Sequence, residues 1–213
     1  MNDLKIMELR INLKDDFHTT GLEKGSTIDV LKDNEGNFYI PATHIKGVVR
    51  TEAERLLDVE CHITSIDEGD KIITCPNPEN AECPICRMFG SPNLEGKEFL
   101  VPKLRFIDFR SNGNEVSTRT HVSIDRDKCS KTNKALYAEK TVPKGTEFTG
   151  YIMIRKIKEE LSDKEGKLLK GAIHSASHYG FGSNRSRGLG GVEIVKYEEI
   201  SKEDFIKNLK NEK

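Results

Sequence analysis

The chain has 213 residues, with 34 lysines and arginines against 35 aspartates and glutamates and a net charge of -1. That length allows one large domain or two small ones, and the charge balance excludes a surface that is basic throughout, so an anionic partner must be held by a local basic patch. No apolar run approaches the ~20 residues of a membrane span, and the N-terminal MNDLKIMELRINL lacks a basic-then-apolar signal pattern; a soluble cytoplasmic protein with no membrane partner is expected, in which the five cysteines are not a disulfide frame.

MELRINL alternates Met7, Leu9, Ile11 and Leu13 with polar residues, the period of a half-buried strand. Residues 14–40 carry glycines and charges without periodicity and read as a long loop. PATHIKGVVRTEAERLLD is a helix, with Thr43 as N-cap and Ile45, Val48, Val49, Ala53, Leu56 and Leu57 on one apolar face. Lys46 and Arg50, four apart, stack on another face. Residues 59–102 are polar and cysteine-bearing. KLRFIDFR is a strand. Residues 111–146 are irregular, except that RTHVSIDR suits a protruding hairpin. EFTGYIMIRKI is a strand by its β-branched and aromatic content. KLLKGAIHSASHYG is a second helix, with Leu169, Ala172, Ile173 and Ala176 on one side and Gly180 near its end. VEIVKY is a strand. ISKEDFIKNLK is a short helix, capped by Ser201 with Asp204 at N3 and stapled by Ile200 and Phe205.

The succession β-α-β-β-α-β is the split βαβ, ferredoxin-like pattern. The expected fold is α+β, an RRM-like core in one decorated domain over 1–213, with insertions at about 14–40, 59–102 and 111–146.

Two stretches carry chemistry. YGFGSNRSRGLGGV, residues 179–192, has five glycines and the pair Arg185 and Arg187. It lies after a helix and before a strand, the reverse of a Rossmann or P-loop motif. Its amides can form a nest for an anion, with the arginines adding charge-assisted contacts; the alternative is a plain turn with solvated arginines. CHITSIDEGDKIITCPNPENAECPIC places Cys83 and Cys86 in a CxxC knuckle, with Cys75 eight residues before it and Cys61 further back beside His62. In a reducing compartment this pattern favours a structural zinc over a redox pair or simple thiols. Cys61 is taken as the fourth ligand, with His62 in reserve. Cys129 stands apart. His18, His44, His121, His174 and His178 are scattered, and no nucleophilic triad follows from spacing.

The motifs together resemble the RAMP superfamily of CRISPR effector proteins. IPATHIKGVVRTEAERLL resembles the family's IPGSSLKGALR helix start, CPICRMFGS its CxxCxLFG segment, STRTHVSIDR…ALYAEKTVPKGTEF its hairpin, and GFGSNRSRGLGGV its GGxxSRGLGxV loop. The order is conserved across roughly residues 26–195, and the nearest likeness is to the repeated backbone subunit of type III (Csm/Cmr-like) complexes. The resemblance implies a ferredoxin-like RNA-recognition domain with lid and thumb insertions. It implies a guide (CRISPR) RNA and a complementary target RNA as partners, with copies of the chain stacked head to tail and other effector subunits. The expected RNA-binding residues are Lys46, Arg50, Gly180, Gly182, Arg185, Arg187, Gly188 and Gly190. The thumb leaves target nucleotides displaced, and Asp29, in IDVLKDNEGNFYIP, takes the place of the cleaving aspartate with Mg²⁺ or Mn²⁺; Asp33 matches the pattern's second acidic position. The competing readings are a scaffold that binds guide RNA without cutting, a guide-processing endonuclease that uses a histidine, and an unrelated zinc-stabilised metabolic enzyme.

Overall fold

The computed structural model describes residues 4–24, 27–57, 83–90, 101–111, 113–125, 130–157 and 160–211, with backbone only at 21–24, 122–125 and 130–136. It is an α+β protein with two sheets and, among the described residues, four helices.

The main sheet is built on β1 (Leu4–Leu13), which pairs antiparallel with β10 (Val192–Ile200) on one side and β9 (Glu147–Arg155) on the other. Beyond β9 stand β5 (Leu104–Phe106) and β6 (Phe109–Arg110), with β4 (Tyr39–Ile40) at the far edge. The alternation of β1 sorts its side chains as expected. Leu9, Ile11 and Leu13 are buried in the principal core with Met7 packed against it, while Ile6 belongs to a separate cluster.

Helices α1 (Ala42–Leu57) and α3 (Asp163–Tyr179) pack against each other over the principal core. Ile45, Val48, Val49 and Ala53 of α1, and Leu169, Ala172, Ile173 and Ala176 of α3, are all buried, so the apolar stripes read from the sequence face inward. Leu56 is an exception at 52% exposed, because the helix turns it past the stripe in the last turn. Thr43 is not the cap of α1. The helix starts at Ala42, and its first amide donates to Asp108 Oδ1 at 2.7 Å. Asp108 is free to do this because KLRFIDFR is not one strand: it breaks between β5 and β6, where Ile107 N–H still donates to Tyr151 O of β9 at 3.0 Å and Asp108 turns its carboxylate to the helix. Helix α3 begins four residues earlier than Lys167. Ser162 and Glu165 form a reciprocal capping box.

On the other face, α4 (Lys202–Asn211) is capped by Ser201, which accepts from the Asp204 amide at 3.0 Å. Its Phe205 meets Tyr151 edge-on at 4.9 Å, with Ile6 and Ile200 in the same cluster.

Within 59–102, expected as a polar insertion, α2 (Pro84–Phe89) is a core element: Ile85, Cys86, Met88 and Phe89 are buried. The segment 14–40, expected as loop, carries β2 (Thr20–Lys24) and β3 (Thr27–Val30). With the hairpin β7 (Ser117–Asp125) and β8 (Ser130–Thr141) they form a second sheet, in the order β2-β3-β8-β7. Strand β3 lies parallel to β8, a pairing between distant segments that local periodicity does not reveal. Among the described residues, no helix is long and apolar enough to cross a membrane.

Candidate nucleic-acid interface

The glycine loop joins α3 to β10 and is pinned at both ends. Gly180 closes α3 by donating to Ala176 O, Phe181 N–H donates to Gly190 O, and Gly190 N–H donates to Asp16 O, each at 2.9 Å. Ser183 N–H donates to His18 O, also at 2.9 Å. The glycines serve this closure. Gly190 (φ +82°) and Gly182 (φ +83°) sit where a Cβ would collide with the carbonyl oxygens of Phe181 and His18 respectively. The loop therefore spends its glycines first on its own packing. What it presents outward is a single 3-10 turn, Arg185–Arg187, followed by Gly188, all exposed.

The start of α1 supports the loop from below. Gly182 N–H donates to His44 Nε2 at 2.8 Å, which requires a neutral imidazole carrying its proton on Nδ1. Burial and the nearby charge of Arg185 both hold the His44 pKa below its ordinary value. His44 also lines a hollow of about 290 Å³ together with Thr43, Gly47, Thr51 and Arg185. Histidine count and spacing did not single it out; its signal was its place at the start of the PATHIKG helix.

Lys46 and Arg50 differ in surroundings. Lys46 is half-buried, and burial with the neighbouring charge of Arg50 lowers its pKa. Arg50 is only 12% exposed; its Nε donates to Glu54 and its Nη1 to Gly90 O, both at 3.0 Å. It fastens α1 to the end of α2.

The β7–β8 hairpin meets the loop from the other side. Arg119 stands opposite Glu139 and His121 opposite Tyr137, so the four share one face of the hairpin. Glu139 is 2% exposed. It accepts from His121 Nε2 at 2.9 Å and from Asn184 Nδ2 at 2.8 Å. His18, whose Nδ1 donates to Lys140 O at 2.7 Å, places Nε2 3.5 Å from the same carboxylate. Asn184 is the one non-glycine residue at positive φ among the described residues, and this side-chain bond holds it there.

Asp29 lies in β3 on the neighbouring strand pair. Its Oδ1 accepts from Val30 N–H and its Oδ2 from Lys140 Nζ, both at 2.9 Å. Burial pushes its pKa up, but the Lys140 hydrogen bond and charge, with Val30 N–H and Lys32, outweigh this and hold it below the ordinary carboxylate value. Asp33 closes a turn, accepting from the amides of Glu35 and Asn37 and from Arg110 Nη1. It is a structural residue of that turn.

Cys83 stands at the N-cap position of α2 and Cys86 lies within the helix, buried. Cys61, Cys75, His62 and Cys129 lie outside the described residues. Among the described residues, no three His, Cys, Asp or Glu side chains are grouped to hold a metal ion.

The loop geometry separates two glycines. Gly190→Ala is expected to destabilise the protein by about 2 kcal/mol or more, through positive φ and collision with a backbone oxygen. Gly188→Ala, where no atom lies within 4 Å of the added Cβ, should cost only the left-handed strain, about 1 kcal/mol. Denaturant midpoints of the two variants check the order.

A model of the RAMP superfamily matches residues 11–193, from within β1 to the first residues of β10, and so includes the glycine loop, the start of α1 and the hairpin. No curated protein matches the chain at a significant level. With most of its length covered by the family model, the chain belongs to the RAMP superfamily of CRISPR-associated proteins.

Proposed function

We propose that this chain is a guide-RNA-binding backbone subunit of a type III CRISPR effector complex, stacked with copies of itself and other effector subunits along the guide. The observation that carries the reading is the rigid loop that displays Arg185 and Arg187 between the start of α1 and the hairpin. Two exposed guanidiniums on a fixed turn suit a phosphate line. They bind by charge and geometry, leaving sequence to base pairing. The core is read as ferredoxin-like. In support, β1, α1, β5 with β6, β9, α3 and β10 follow in chain order, and the strands stand side by side as β10, β1, β9 and β5/β6.

Cleavage of complementary target RNA is the finer part of the proposal. What favours it is an ionised, partly exposed carboxylate, Asp29, held against a lysine of the hairpin. A lowered pKa makes Asp29 a poor general base. The Lys140 ammonium takes its outer oxygen, so a Mg²⁺ or Mn²⁺ ion at Asp29 would have to displace or share that contact. The aspartate's own contribution is to fix Lys140 where the ammonium can neutralise charge developing on a phosphate as a displaced nucleotide's 2′-OH gives its proton to solvent and bonds to phosphorus, while the P–O5′ bond breaks to leave a 2′,3′-cyclic phosphate and a 5′-hydroxyl.

For zinc, Cys83 and Cys86 at one turn of α2 fit the chemistry of two thiolate ligands, with Cys61 and Cys75 proposed for the others. Bound zinc would supply a structural cross-link.

Three outcomes are expected. Replacing Arg185 and Arg187 together with alanine should weaken single-stranded RNA binding about equally across sequences and reduce the salt slope by about 0.7 per lost phosphate contact; an unchanged slope rejects the loop as the RNA grip. Asp29→Ala and Lys140→Ala should each abolish cleavage in the assembled complex while leaving guide binding intact. Cleavage that survives Lys140→Ala but not Asp29→Ala assigns Asp29 to a metal instead, and no cleavage by the parent leaves a binding scaffold. Freshly purified protein should contain one zinc per chain by elemental analysis, lost in Cys83→Ser; protein without zinc removes that assignment.

A further inference from the structure

The hairpin face against the glycine loop contains a second feature that the phosphate-binding reading does not use. His121 and Tyr137 are cross-strand partners whose rings lie nearly parallel, 17° apart, with centroids 4.9 Å apart. Two hydrogen bonds fix this arrangement. His121 donates to Glu139 Oε2, and the other oxygen of that almost fully buried carboxylate accepts from Asn184 in the loop. Arg187 reaches the stack from the loop, with Nη1 3.4 Å from the Tyr137 hydroxyl.

The other phenylalanine and tyrosine ring pairs among the described residues are core contacts. Phe17 with Phe148, Phe89 with Phe106, and Tyr151 with Phe205 are all buried. The His121–Tyr137 pair is different. His121 keeps 24% of its side chain exposed, Tyr137 is half-buried, and Arg187 beside them is exposed. Burying a carboxylate is costly unless its partners repay it. Here that cost orients a pair of rings that is not itself buried, next to the exposed Arg187. A fixed aromatic pair at the surface with a cation at its edge matches what single-stranded nucleic acid offers, a base with a π face joined to a phosphate.

We infer that Tyr137 and His121 form a stacking platform for one unpaired nucleobase of single-stranded RNA, with Arg187 on the adjoining phosphate and Glu139 as the positioning residue beneath. This rests on the RNA-binding reading above and adds to it a base contact that the loop arginines do not make. Stacking is tolerant of base identity, so the platform fixes where along the strand a base is splayed out, not which base it is.

The test uses the full chain and single-stranded RNA oligonucleotides carrying one 2-aminopurine, or one abasic residue, at successive positions. With the parent, 2-aminopurine fluorescence should be quenched on binding at a defined position, and an abasic residue there should weaken binding about fivefold or more. Tyr137→Phe should keep both effects. Tyr137→Leu, which retains an apolar side chain for folding, should lose the quench and the abasic discrimination together, while its thermal unfolding stays within a few degrees of the parent. Glu139→Gln, with the His121 partner weakened, should reduce the quench more than it reduces overall affinity. If the parent binds RNA through Arg185 and Arg187 but shows no abasic penalty at any position, or if Tyr137→Leu discriminates as the parent does, the platform is overturned and the phosphate grip stands. If the parent binds no RNA, both readings fall.

Discussion

One buried carboxylate holds the interface together. Glu139 comes from the hairpin, and it accepts from His121 of the opposing strand and from Asn184 of the glycine loop, with the His18 ring from the segment after β1 packed 3.5 Å away. A carboxylate removed from water costs several kcal/mol unless it is paired and hydrogen-bonded. The pieces therefore settle as a set, since loss of any one leaves charge or polar atoms uncompensated. The hairpin projects from the core sheet, but its base is tied to the loop that caps α3.

The same device recurs across the fold. Glu8, Glu52, Glu139 and Glu165 are each 2% exposed. Glu52 of α1 accepts from Ser175 of α3 at 2.7 Å and pairs with Arg55. Glu165 caps α3 and pairs with Arg87 of α2 and Lys103 before β5. Glu8 joins Arg10 to Lys196 across β1 and β10. Each places a buried charge at a junction between elements, where a wrong packing would strand it. Among the described residues these four acids are turned inward to specific partners, while Arg185 and Arg187 stand exposed at the loop.

The loop also shows how glycine shapes a surface through its own packing. Gly182 and Gly190 let the backbone pass against His18 and Phe181, and the closed loop then offers a stiff turn. A flexible loop would lose conformational entropy on each binding event; this one has lost it on folding. His44 belongs to the same construction, since its ring nitrogen takes an amide that the glycine-rich backbone turns inward.

Much of this was legible in the sequence, because it depends on neighbours within one element. The alternation of Met7, Leu9, Ile11 and Leu13, the stripes of α1 and α3, the Ser201 cap and the hairpin around RTHVSIDR each follow from local periodicity or capping chemistry. The four motifs in their order were sufficient to place the chain in its superfamily. The capping box Ser162–Glu165 was equally local and fixed the true start of α3. The rest was decided by contacts between residues far apart in the chain. Asp108 caps a helix 66 residues before it, and Lys140 meets Asp29 across 111 residues. The parallel pairing of β3 with β8, the inward use of Arg50 and the burial of Glu139 have no signature in their own neighbourhoods. Such choices are made by the total of buried area and satisfied hydrogen bonds over the whole fold, a sum to which no single stretch of sequence contributes enough to be read alone.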